Sequence, residues 1–99
     1  MPVKKRYISN GEVCKVTFIL PEEIEADTAF LVGGFNDWDK KATPMTQLKS
    51  GQWKIDLNLA AQGEFEYRYL VNGNEWHNDW EADKYVPNRY GVDNSVVIT

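Results

Sequence analysis

The clearest signal along the chain is an alternation of apolar and polar residues with a period of two. Cys14, Val16, Phe18 and Leu20 alternate with Lys15, Thr17 and Ile19, and Pro21 ends the run ahead of an acidic loop over residues 22–27. Trp53, Ile55, Leu57 and Leu59 alternate with Lys54, Asp56 and Asn58, the mark of a strand with one buried face. Phe65, Tyr67, Tyr69 and Val71 alternate with Glu64, Glu66, Arg68 and Leu70 in the same way. This phase turns Tyr67 and Tyr69 inward and Arg68 outward. Ala29 to Val32 is a short apolar run ending in Gly33-Gly34, and Val96 to Thr99 reads as a terminal strand. No segment carries helical spacing.

Turn residues punctuate these runs. Ser50-Gly51 precedes the Trp53 strand, Gln62-Gly63 joins it to the next, and Asn72-Gly73 predicts a tight hairpin with Trp76 just beyond. Asn and Gly both tolerate the positive φ that a two-residue type I′ turn demands. Roughly six or seven short strands with regularly spaced turns predict an all-β fold, an immunoglobulin-like antiparallel β-sandwich. The paired cysteines of true immunoglobulin domains are missing, so only the architecture is implied. At 99 residues the expectation is a single domain, complete as it stands, without repeat or linker.

Composition narrows the partners. Eleven Lys and Arg against fifteen Asp and Glu leave a net charge of −4, which argues against nucleic acid or an anionic membrane as a partner. The basic cluster Lys4-Lys5-Arg6 lies in a stretch, residues 1–10, read as a flexible N-terminal tail, with the folded domain over 11–99. No apolar run approaches the ~20 residues of a membrane helix, and the first ten residues lack the apolar stretch of a signal peptide. A cytoplasmic location is the resulting expectation. Cys14 is the only cysteine and falls on the apolar phase of its strand, so it reads as a small buried hydrophobe.

Candidate chemistry is sparse. His77 is the only histidine and has no nucleophile signature to partner it; with Asp79 alone it does not amount to a metal site. Glycoside hydrolysis needs two carboxylates across a cleft, which so small a sandwich has little depth to provide. The sequence therefore predicts no enzyme, no cofactor and no metal. Binding has a better candidate. Phe35-Asn36-Asp37-Trp38 follows a strand and a double glycine, and a Trp in such a polar loop offers a flat apolar face to a pyranose ring. The same pattern also suits a ring folded back to cap the sandwich end.

Four segments together resemble a known series: Phe35-Asn36-Asp37-Trp38, Thr43-Pro44-Met45, the run from Phe65 to Gly73, and Asn94-Ser95-Val96-Val97. They look like carbohydrate-binding module family 48, the isoamylase N-terminal domain, which includes the glycogen-binding domain of the AMP-activated protein kinase β subunit. The resemblance runs from about Val13 to Thr99 and implies an immunoglobulin-like sandwich that binds α-1,4-glucan: glycogen, starch or maltooligosaccharide.

By position, the resemblance makes Trp38 the first sugar platform, Arg68 the basic residue and Asn94 the amide near the last strand. Trp76 would be the second platform. It stands one residue further from Gly73 than in the kinase domain, which could turn it to the other face, and Trp80 is the alternative. Tyr90 and Val92 stand where the kinase domain has further sugar contacts, and Val92 lacks a hydroxyl to make one. The resemblance implies a stand-alone binding module. The other reading is a structural or protein-interaction domain without a sugar site, acting with a glycogen-metabolising enzyme.

Overall fold

A computed structural model describes residues 3–99. It is built almost entirely of strands, arranged as two antiparallel sheets with the core between them. The first sheet has the order β1-β2-β5-β4, comprising β1 (Lys4–Ile8), β2 (Val13–Ile19), β5 (Trp53–Ala60) and β4 (Thr46–Gln47). The second has the order β3-β6-β9-β8, comprising β3 (Ala29–Gly33), β6 (Glu64–Val71), β9 (Asp93–Ile98) and β8 (Lys84–Pro87). A short strand β7 (Glu75–His77) also pairs with β6. The fold is the expected immunoglobulin-like antiparallel sandwich, a single all-β domain. Its thinnest extent, 23 Å, accommodates two layers about 10 Å apart with their side chains, and no third layer.

The alternation read from the sequence sets the inner faces. Cys14, Val16 and Phe18 from the first sheet meet Leu31, Tyr67, Tyr69, Val71 and Val97 from the second, all buried. Phe18 packs edge-on against Tyr67, with ring centroids 4.9 Å apart, and Tyr67 packs edge-on against Tyr69 at 5.8 Å. Such T-shaped pairs add roughly 0.5–1.5 kcal/mol beyond the area they bury.

Two features differ from the sequence reading. Lys4 to Ile8, expected within a flexible tail, form β1 and pair with β2 from Lys4↔Thr17 to Ile8↔Val13. Residues 1–2 of that tail lie outside the described residues. The strand was invisible because it is an exposed sheet edge: backbone pairing holds it, while Lys4, Lys5, Arg6 and Tyr7 all face solvent. The Tyr7 hydroxyl donates to the Thr99 carbonyl and Lys5 pairs with Asp83 at 2.6 Å, tying this edge to the other sheet. The second difference concerns Trp53, which the alternation of its strand places on the buried face. Its strand and that of Tyr67 follow one another in sequence but lie in different sheets, because the Gln62-Gly63 turn carries the chain across the sandwich. Trp53 is accordingly half-buried near a strand end, packed against the core and not enclosed by it.

One acid sits inside. Asp79 is 2 % exposed and accepts hydrogen bonds from the Tyr67 hydroxyl at 2.8 Å, the Tyr69 hydroxyl at 3.5 Å and the Glu81 N–H at 3.0 Å. Its own N–H donates to Ser95 Oγ, and its carbonyl accepts from Tyr85. Burial first, and then the neighbouring tyrosine and Asp79, push the Tyr67 hydroxyl far above its ordinary pKa; burial and Asp79 do the same to Tyr69.

A consequence at alkaline pH follows. With folded pKa values raised, both tyrosines stay protonated in the native state while the unfolded chain ionises above pH ~10. The unfolded state then binds fewer protons, so stability present below pH 10 is lost as pH rises. Each tyrosine should contribute a loss of ~1.4 kcal/mol per pH unit, or about 3 kcal/mol together by pH 11. Urea midpoints at pH 8 to 11 check this, and a flat profile would contradict the buried network.

Candidate functional site

The outer face of the second sheet is where the candidate residues gather. β6 has β3 along one edge. Its other edge is shared: β9 pairs with Glu64 to Tyr67, and β7 takes over from Tyr69 to Val71. Arg68 lies at the junction. Side chains on the same phase of β6, namely Glu64, Glu66, Arg68 and Leu70, point away from the core tyrosines.

The β6–β7 connection decides where Trp76 goes. Asn72 and Gly73 both have positive φ, 53° and 78°, as a type I′ turn requires, but the loop holds a third residue, Asn74. The pairing is therefore Val71↔Glu75, Leu70↔Trp76 and Tyr69↔His77. The tight two-residue hairpin expected from Asn-Gly would have set Trp76 opposite Tyr69, facing the core. One added residue reverses the face. Trp76 is thus half exposed on the side of Leu70 and Arg68, and the Arg68 guanidinium lies 5.8 Å from its ring centroid. Partial burial lowers the Arg68 pKa from its ordinary value, and a guanidinium remains charged at neutral pH all the same.

Trp38 comes to this region on a loop held by backbone geometry. Asn36 secures the loop base: its Oδ1 accepts from the Gly33 N–H at 3.1 Å, and its Nδ2 donates to the Leu31 carbonyl and Thr43 Oγ1. The Trp38 N–H donates to the Gly33 carbonyl at 2.9 Å. Asp37 and Trp38 both sit at positive φ, 56° and 58°. For an aromatic residue this backbone costs roughly 1–2 kcal/mol, so the Asn36 bonds hold a strained turn. Gly33 admits no side chain, since a methyl there would strike the Glu66 carbonyl oxygen and come within 2.9 Å of the Phe35 ring. Trp38 is 38 % exposed, and two residues on Lys40 reaches across to within 5.9 Å of the Trp76 centroid. The Trp38 loop and β7 therefore border one surface.

Asn94 lies on the same phase of β9 but is buried at 5 % exposure. Its Nδ2 donates to Glu66 Oε1 at 3.0 Å and its Oδ1 accepts from Asn88 Nδ2 at 3.0 Å. Asn88 in turn shapes the loop over 88–92, its Oδ1 accepting the Tyr90 and Val92 N–H groups. Asn94 thus braces that loop, whose Tyr90 and Val92 are exposed. Sequence reasoning assigned no role at the site to Lys40, Glu66 and Asn88, because the spacing of polar residues does not reveal their partners. Trp80, the alternative platform, projects at 56 % exposure just after buried Asp79.

Two concavities lie away from this surface: one is lined by Glu23 to Asp27 with Asn72, Glu75 and His77, another by Leu20 to Glu22, Ile24 and Ser50 to Trp53. Neither touches Arg68 or Trp76. Among the described residues, Asp79 is the one buried acid, and no three His, Cys, Asp or Glu side chains cluster as metal ligands. A face with an indole ring and two cations beside it can stack and hydrogen-bond a polyhydroxylated molecule.

Comparison with known proteins supplies the family. Carbohydrate-binding module 48, the isoamylase N-terminal domain, matches residues 23–86, more than half of the sequence. The chain belongs to this family. The matched stretch of the carbohydrate-binding module contains Trp38, Arg68 and Trp76 and stops in β8, ahead of Asn94. Among curated proteins, a 1,4-alpha-glucan branching enzyme of Aquifex aeolicus is 37 % identical over 81 residues, covering 79 % of this chain and 12 % of that enzyme. A second, from Lactobacillus acidophilus, is 44 % identical over 46 residues, covering 46 % of this chain and 7 % of the enzyme. The chain thus spans only a small part of the length of these relatives.

Proposed function

We propose that this carbohydrate-binding module binds α-1,4-glucan, as glycogen, starch or maltooligosaccharide, on the outer face of its second sheet, and performs no catalysis itself. The observation that carries the reading is the placement of Trp76, with Arg68 and Lys40 at its ring, on the face bordered by the Trp38 loop. A glucose ring presents apolar C–H faces and a rim of hydroxyls. Covering about 100 Å² of apolar surface on one indole contributes ~2–3 kcal/mol gross, before desolvation and ordering costs. Two platforms and a few hydrogen bonds give dissociation constants of roughly 0.01–1 mM. Arg68 donates to hydroxyls, and Asn94, covered and bonded to Glu66 and Asn88, supports the face from beneath.

The likeness to branching enzymes supports glucan as the ligand class and a glycogen-metabolising enzyme as the protein partner. Migration of the purified protein through a gel containing glycogen tests the binding. Retardation relative to a glycogen-free gel is the expected result, with no reducing sugar released from glycogen or maltoheptaose. Passage without retardation would favour a protein-docking domain, for which exposed Trp80, Tyr85 and Tyr90 offer apolar surface.

A further inference from the structure

We infer that Asn78 is the positioning residue of the glucan face, acting by fixing the guanidinium of Arg68; this rests on the glucan reading of that face. Asn78 follows β7 directly, and the β6–β7 register, Tyr69↔His77, continues to place it opposite Arg68. There β7 gives way to β9 along the edge of β6, and a side chain in the gap can reach both strands. Asn78 does so. Its Oδ1 accepts from Arg68 Nε at 3.3 Å and from Ser95 Oγ at 3.0 Å, and its Nδ2 donates to the Asp93 carbonyl at 2.8 Å.

Both ends of the Asn78 amide are therefore used, and two of its three partners belong to β9. Ser95 is fully buried and also accepts from the Asp79 N–H, so the amide is anchored to the Tyr67–Asp79 network of the core. Arg68 has no carboxylate within salt-bridge distance among the described residues, so the amide oxygen is the acceptor that orients it. A long flexible side chain held at Nε keeps its terminal amino groups free while losing its rotational freedom before a ligand arrives. The ordering cost of binding falls accordingly. Held there, the guanidinium also stays beside the Trp76 ring, so ring and donor form one unit.

The test has a ligand-free and a ligand-bound arm, both on the full chain. In the free protein, the Arg68 Nε–H should give a sharp nuclear magnetic resonance signal with a rigid heteronuclear Overhauser effect. Asn78→Ala should broaden it or make it mobile, whereas Asn78→Asp, which keeps the acceptor, should preserve it. An unchanged Arg68 signal in Asn78→Ala overturns the inference. Should the alanine variant fail to fold, release of Arg68 in Asn78→Asp overturns it instead. In calorimetric titration with maltoheptaose, Asn78→Ala should weaken binding about five-fold in the wild-type background and less than two-fold in Arg68→Ala. Equal losses in both backgrounds would show action through something other than Arg68. If wild-type protein does not bind maltoheptaose, the glucan reading falls, and the Arg68 signal still decides the role of Asn78.

Discussion

Replacing Tyr67 with alanine should cost about 3–5 kcal/mol, enough to bring a domain of this size close to unfolding. The ring is fully buried between the sheets, edge-on to both Phe18 and Tyr69, so truncation opens a cavity against both rings. It also removes the 2.8 Å hydrogen bond to Asp79, leaving a buried carboxylate short of a donor. Tyr67→Phe separates the two effects: the cavity term vanishes, and about 1–3 kcal/mol should remain from the lost hydroxyl. Trp53→Ala removes a larger ring yet should cost less than Tyr67→Ala, because Trp53 is only half-buried. Urea denaturation of the three variants measures the series. A Tyr67→Ala loss below about 1 kcal/mol, or a Trp53→Ala loss exceeding it, would contradict the described core.

The second large effect is on binding. Trp76→Ala should weaken glycogen or maltoheptaose binding at least ten-fold, the equivalent of about 1.4 kcal/mol or more. The indole is the apolar surface next to Arg68, and its removal also frees the guanidinium from its ring contact. The melting temperature should fall by only a few degrees, since the ring is partly exposed and outside the core. Trp38→Ala should weaken binding as well. Trp80→Ala should leave it unchanged. Trp80→Ala abolishing binding while Trp76→Ala leaves it intact would move the platform to the wrong ring. Glucan is neutral, so affinity should vary little with salt.

Much of the fold could be read from the sequence because one physical rule governs it. A strand with one buried face must alternate, and β6 does so from Glu64 to Tyr69, placing Tyr67 and Tyr69 inside and Arg68 outside. Strands that bury no face send no such signal. β1, β4 and β8 are short edge strands held by backbone pairing, and Lys4, Thr46 or Lys84 in them look like loop residues. Trp76 shows the finest limit. Its orientation turns on whether the Asn72-Gly73 loop holds two residues or three, and the third, Asn74, is as compatible with a turn as with a strand start. Asp79 shows a different one. Fifteen acids look alike in sequence, and only the packing of β7, β8 and β9 draws this one under Tyr67. Asn94 was expected to face sugar and lies instead mostly covered, bonded to nearby Asn88 and to Glu66 on a different strand, a role that pairing across the sheet sets.

The most direct measurement is a titration of isotope-labelled protein with maltoheptaose, following the indole N–H signals of its four tryptophans by nuclear magnetic resonance. The account predicts that the Trp76 and Trp38 signals and the Arg68 Nε–H shift saturably at millimolar sugar or below, while half-buried Trp53 and outlying Trp80 stay in place. Saturable shifts confined to Trp53 or Trp80, or no shift of any indole at 10-fold the weakest expected dissociation constant of about 1 mM, would contradict it.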